Sequence, residues 1–156
     1  MTLLPDGTAS ADGLWLAIGE STKHECLDDD NDDTSYTTCQ VDGKQMTLEF
    51  ANPTVAEADI ASIVSAQFTS SGRCPARGSG GSDVDIKFQV PDGFEETINY
   101  FNNAFYESEG GTVRDRKPDG SAWEYSDLED LQIKCTKSGT AVVRLSYLAI
   151  RITYTE

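Results

Sequence analysis

A chain of 156 residues with 27 acidic and 12 basic side chains carries a formal net charge of −15. That length suits one domain able to bury roughly 70% of its unfolded surface. The charge argues against nucleic acid and anionic membranes as partners, since both would repel it, and the longest wholly apolar run, residues 14–18, is too short to cross a bilayer.

Residues 1–24 are weakly patterned, and Gly7, Gly13 and Gly19 break any helix there. The first residues lack the basic start and apolar core of a secretory signal, so synthesis is expected to end in the cytoplasm. Trp15 with Leu16 and Ile18 is expected as a short edge strand or a buried plug. Residues 28–33, Asp-Asp-Asp-Asn-Asp-Asp, form the densest charge run in the chain. Clustered carboxylates suit a hard cation such as calcium. A loop started at Asp28, however, puts Asp33 where an EF-hand has glycine and Cys39 where it has its closing glutamate. A solvated acidic loop without metal is the expectation.

Residues 36–41 and 45–50 flank Asp42-Gly43, a hairpin signal, with Met46, Leu48 and Phe50 alternating against Thr47 and Glu49. Residues 60–70 read as a further strand with Val64, Ala66 and Phe68 on one side. The glycines Gly78, Gly80 and Gly81 have no phosphate-loop spacing. Residues 84–90 are the cleanest strand, with Val84, Ile86, Phe88 and Val90 inward and a Pro91-Asp92-Gly93 turn after it. Over 94–106 the apolar spacing is helical, but Thr97 and its neighbours favour a strand and Asn102-Asn103 a turn. Strands at regular intervals on both sides decide for two short strands. Pro118-Asp119-Gly120 is another turn, and Ser126-Asp127-Leu128-Glu129 a capping box that opens one helical turn ending near Leu131.

The last 26 residues carry the longest run of β-forming side chains and no proline. Lys137-Ser138-Gly139-Thr140 reads as a turn that folds 131–135 onto 141–155 as a hairpin. Val143, Leu145 and Tyr147 share one face; from Leu148 the apolar phase passes to Ile150, Ile152 and Tyr154. Such a change marks a β-bulge or a strand covered on both sides. The fold expected is therefore all-β, a two-sheet antiparallel sandwich of jelly-roll or immunoglobulin-like type with at most one short helical turn. Residues 1–35 are expected as an arm and acidic loop packed on a sandwich of residues 36–156, one domain overall.

No catalytic constellation is apparent. His24 is the single histidine, and nothing near it resembles a nucleophile turn. Carboxylates are so many that no pair stands out for sugar hydrolysis. No enzyme activity, cofactor or metal is expected. Trp15, Trp123, Tyr100 and Tyr106 could build a sugar-stacking platform on a sandwich face, although core and rim are the commoner places for such rings. The four cysteines fit no C-x-x-C spacing, which weakens zinc even with His24 two residues before Cys26. They read as buried thiols or as a pair of bridges formed outside a reducing compartment. If bridged, Cys26 pairs with Cys39 around the acidic loop, and Cys74 with Cys135 at the ends of two strands taken as neighbours.

Leu4-Pro5-Asp6-Gly7, Trp15, His24, Leu27-Asp28 and Asp32-Asp33-Thr34-Ser35-Tyr36 form one set of markers. Lys117-Pro118-Asp119-Gly120-Ser121-Ala122-Trp123, Ser126-Asp127-Leu128 and the closing Leu148-Ala149-Ile150-Arg151-Ile152-Thr153-Tyr154 form a second. Together these resemble the pattern of small β-sandwich structural proteins of tailed bacteriophages. The resemblance implies a non-enzymatic virion component, foremost a decoration protein on the outer head surface, binding the major capsid protein or other virion proteins, and brings no catalytic residues. A homo-oligomer, no nucleic acid and no membrane are expected. Two basic islands in expected loops, Arg73 with Arg77 and Arg114 with Arg116 and Lys117, would meet an acidic capsid or stay ordinary solvated charges. The alternative is a tail, neck or fibre component or a carbohydrate-binding, host-recognising module.

Overall fold

The computed structural model describes residues 1–27, 34–74, 82–100 and 107–156. Among them the strands are β1 (Thr2–Leu3), β2 (Pro5–Ala11), β3 (Leu16–Ile18), β4 (Tyr36–Cys39), β5 (Gln45–Phe50), β6 (Ser62–Arg73), β7 (Ser82–Val90), β8 (Gly93–Tyr100), β9 (Glu107–Gly110), β10 (Gln132–Ser138) and β11 (Val143–Thr155). They form two antiparallel sheets. One runs β3-β4-β11-β6-β9, with β1 also pairing to β11, and the other β2-β5-β10-β7-β8. The sandwich is the fold expected. A single helix among the described residues, α1 (Tyr125–Glu129), and 3-10 turns at Glu25–Leu27 and Glu57–Asp59 complete it.

Alternation places the core. Val84, Ile86 and Phe88 from β7 meet Ala66 and Phe68 from β6 across the sandwich, all with 1% exposure or less. The Phe88 ring lies 6.3 Å from Phe68 and 5.9 Å from Trp123, tilted in both pairs, the geometry aromatic quadrupoles favour. In β11 the register against β6 shifts between Leu145 and Tyr147. The phase change is thus a bulge at Ser146: Val143 and Leu145 are buried before it, Leu148, Ile150 and Ile152 after it, and Tyr147 is half-buried.

Two expected hairpins are not hairpins. β10 and β11 belong to different sheets, and so do β4 and β5. The turns form where expected, with positive φ at Gly43 and Gly139, but each carries the chain from one sheet to the other. They run side by side: the Gly43 N–H donates to the Lys137 carbonyl at 2.8 Å, and the Gly139 N–H to Asp42 Oδ1 at 3.1 Å. A turn dipeptide dictates reversal, whereas whether the returning strand pairs edge to edge or stacks face to face depends on the core it finds. Both returning strands have a buried face, and the core took them. β7 and β8 do form a hairpin around Pro91-Asp92, closed by a 2.7 Å ion pair from Lys87 Nζ to Asp92.

The described part of residues 1–35 is not an arm laid on a finished sandwich. β1 pairs with β11, β2 with β5 and β3 with β4, while Trp15 and Leu27 are buried in the core. Trp15 is the expected plug, its Nε1 donating to the Lys44 carbonyl at 3.1 Å, and the residues after it are the edge strand. The helix starts earlier than the Ser126 box predicts. Glu124 is its cap and accepts from the third backbone N–H, while Asp127 Oδ2 accepts from the Glu124 N–H at 2.7 Å. Asp127 is also held by Lys117 Nζ at 3.0 Å, which fixes it as the reciprocal partner. Of the two strands expected over 94–106, the first is β8; β9 begins at Glu107, and the Asn102-Asn103 turn lies outside the described residues.

Candidate functional site

At one end of the sandwich, residues 55–63 form a rib between two open clefts. The turn Glu57–Asp59 lies on the rib, whose Ala61 N–H donates to the Thr155 carbonyl at 2.8 Å. Ser62 and Thr155 share a 2.7 Å hydroxyl contact, and Tyr125 Oη donates to the Val55 carbonyl at 3.1 Å. The rib is thus tied to the last residues of β11 on one side and to α1 on the other. The first cleft, of about 510 Å³, is lined by Val55, Ala58, Asp59, Ala61, Tyr154 and Glu156. The second, of about 410 Å³, lies between Glu57, Ile60 and Ile63 on the rib and Trp123, Glu124 and Tyr125 at the head of the helix.

Its chemistry is that of a recognition surface. Tyr154 and Tyr125 are half-buried, so each leaves part of its ring accessible, and the buried Trp123 lines the second cleft with Tyr125. Rings with an apolar body and a polar tip suit ligands that are amphipathic in the same way. Carboxylates of Glu57, Asp59, Glu124 and Glu156 provide hydrogen-bond acceptors, and among the described residues neither cleft is lined by a lysine, arginine or histidine.

Residues singled out from the sequence are dispersed. Trp15 and Trp123 are core, at 1% and 3% exposure, which removes them as stacking platforms. Tyr106 lies outside the described residues, and Tyr100 closes β8 far in sequence from the clefts. Arg77 and the acidic run 28–33 with its calcium question also lie outside the described residues. Arg73 and Arg114 are not loop charges. Arg73 ends β6 opposite Arg144, and Arg114 bridges to Ala66. The Arg114 guanidinium pairs with Glu96 and lies 4.4 Å over the Phe94 ring, while Lys117 pairs with Asp127. Arg116 alone of its island is exposed. Loop composition suggested free cations; the neighbouring carboxylates, distant in sequence, take two of the three.

The four cysteines are buried thiols, and neither expected bridge is present. Cys26 and Cys39 each donate to a backbone carbonyl, of Ile18 and Val41, at 3.5 Å. Cys135 sits mid-strand in one sheet, whereas Cys74 follows β6 of the other, so the second pairing rested on a wrong choice of neighbours. Burial pushes the Cys135 thiol up from 9.0 to about 12 and raises that of Cys39. Zinc through His24 finds no support in the geometry: its ring nitrogens face Thr8 and Thr22 hydroxyls at 3.5 and 3.4 Å, and Cys26 turns to Ile18. No cluster of metal-ligating side chains occurs among the described residues. Sequence reasoning missed the clefts, because Tyr154 reads as one more strand residue and Tyr125 lies beside a helix signal. It also missed Lys137, fully buried with Nζ donating to the Ser138 and Gly139 carbonyls at 2.8 and 2.6 Å. Continuing the inward alternation of Ile133 and Cys135 by two residues would have found it.

No family model matches the chain, and neither does any curated protein. Solved structures do. The C-terminal CBM6 of LamC, a marine laminarinase from Zobellia galactanivorans, superposes with a TM-score of 0.56 at 7% identity, covering 96% of this chain and 97% of that one. The CBM35 of Cellvibrio japonicus Abf62 gives 0.51 at 9% identity over 100% and 99% of the two chains. A family 35 carbohydrate binding module from an environmental isolate gives 0.52 at 11% over 98% and 93%. At such identities the likeness is one of fold: the whole chain is built as the β-sandwich of these carbohydrate-binding modules.

Proposed function

We propose that this protein is a non-catalytic carbohydrate-binding module whose ligand lies in the clefts beside the 55–63 rib. The observation that carries the reading is the pair of adjacent clefts bearing part-exposed Tyr154 and Tyr125 rings among carboxylate acceptors. A sugar ring presents an apolar face to stack and hydroxyls to donate, and both are answered here. The fold shared with carbohydrate-binding modules supports the reading without locating the ligand. Affinity electrophoresis through gels cast with soluble polysaccharides tests it. Retardation by at least one polysaccharide is expected, reduced about fivefold in Tyr154→Ala, in line with about 1 kcal/mol for a lost aromatic contact. Mobility unchanged by every polysaccharide would overturn it.

An accessory protein on the outside of a phage capsid is the second reading. The observation favouring it is the edge strand β3, where Leu16 and Ile18 stay 50% and 39% exposed with Leu14 beside them, an apolar row suited to protein contact. Its measure is copy number in purified virions: stoichiometry near that of the major capsid protein supports decoration, a handful of copies a tail or fibre place, and absence ends it.

A further inference from the structure

We infer that the clefts select glycans by charge, so that amine-bearing chains bind more tightly than neutral ones and uronate or sulfated chains are turned away. The inference rests on the carbohydrate-binding reading and adds the class of ligand. Its ground is the composition of the lining. Asp59 and Glu156 face the first cleft, and Glu57 and Glu124 the second. Glu124 is occupied in part by capping the helix. Among the described residues Glu57, Asp59 and Glu156 are exposed and enter no ion pair or side-chain hydrogen bond within the protein. They are available to a ligand.

Lys117, which feels the charge of Glu124, and Arg114 are held by other carboxylates. Lys117 is committed to Asp127, and Arg114 to Glu96 and the Phe94 ring. A glycan carboxylate or sulfate entering either cleft would meet acceptors with no cation among the described lining residues, on a chain already at −15, and like charges brought together oppose binding. A protonated amine on the sugar would instead gain a charge-assisted hydrogen bond to Glu57, Asp59 or Glu156, roughly twice as strong as a neutral one. The aromatic faces of Tyr125 and Tyr154 serve all three classes alike, and a cation close to either gains further from the ring. Stacking therefore sets whether sugars bind, and the carboxylates set which.

The test is calorimetric titration with matched oligosaccharides: a glucosamine oligomer, a neutral glucose oligomer and an oligogalacturonate. It is run at mildly acid pH, where the amines are charged, in low and high salt. The glucosamine oligomer is expected to bind about tenfold more tightly than the neutral one in low salt, with the gap narrowing in high salt. Glu57→Gln with Asp59→Asn should close most of the gap, the amine-bearing oligomer losing more affinity than the neutral one, for which the amide oxygens still accept. Glu129→Gln with Asp130→Asn, in a separate acid-lined cleft beside Asp6 and Glu49, should leave the gap unchanged. Neutral and amine-bearing oligomers bound equally, uronate bound as tightly as either, or a gap that Glu57→Gln with Asp59→Asn leaves undiminished would each overturn the charge selection while the binding reading stands. If no oligosaccharide of any class binds, the underlying reading fails and takes the selection with it.

Discussion

Phe88 is where the two sheets and the 112–124 segment meet, its ring against Phe68 and Trp123. Phe88→Ala is expected to cost about 3–5 kcal/mol, read from urea midpoints. Gly111 tests the same packing from the other direction: a Cβ there would lie 2.4 Å from Phe68 Cζ, so Gly111→Ala should cost about 1–3 kcal/mol through overpacking. A neutral result would mean the Phe68 ring can retreat. At this scale the sequence was legible wherever burial follows alternation, as at Val84, Ile86 and Phe88. It was illegible where partners come from afar. Nothing near Arg114 announces Glu96, and nothing near Tyr125 announces the Val55 carbonyl that holds its hydroxyl.

Strand by strand, β3 to β8, β10 and β11 fell close to where periodicity and turn residues put them, whereas β1 and β2 lie in a stretch that read as weakly patterned and β9 begins beyond the region expected for it; the bulge in β11 was foreshadowed by a change of apolar phase. What periodicity withholds is the assignment of strands to sheets, because an inward-facing strand looks the same in either layer. Hence the regions around Asp42-Gly43 and Lys137-Ser138-Gly139 read as hairpins and proved to be crossings. β10 and β11 each lie between two partners at the middle of their own sheets, so their amides should be the slowest to exchange, with β3 at an edge among the fastest. Fast exchange in β10 would contradict its place between β5 and β7. The bulge allows a second check at this scale. Deleting Ser146 should remove the bulge and leave Val143, Leu145, Leu148, Ile150 and Ile152 alternating regularly on one face, so the chain should still fold, whereas deleting Ala149 should turn Ile150 and Ile152 toward solvent and abolish the cooperative melting transition.

For the molecule as a whole, charge and buried thiols set the response to solution conditions. With −15 distributed over 156 residues, added salt should raise the melting temperature by screening self-repulsion. At the acid end, Glu25 is held below its ordinary range by hydrogen bonds from Thr22 and then Ser21, and Asp119 by Ser121. A lowered carboxylate stabilises above its unfolded value, and that contribution is lost as pH falls through the folded one. At the alkaline end, an unfolded Cys135 sheds its proton from 9.0 upward while the folded thiol keeps it until about 12. The unfolded state then binds fewer protons, so stability declines across that window and is untouched below it. Against Cys135→Ala, the wild type should lose about 1.4 kcal/mol more per pH unit there. Parallel curves would show that the thiol is reached by hydroxide without unfolding.

The side-by-side crossings have a kinetic consequence. Of the strand pairings among the described residues, β7 with β8 alone closes through a tight turn; β11 draws on β1, β4 and β6, and β10 on β5 and β7. Loop-closure entropy must be met before most native pairings are rewarded, so the chain should fold on the millisecond-to-second scale of high-contact-order proteins. The β7–β8 hairpin is the one piece able to form early by itself, and substitutions at its turn should slow refolding more than they speed unfolding.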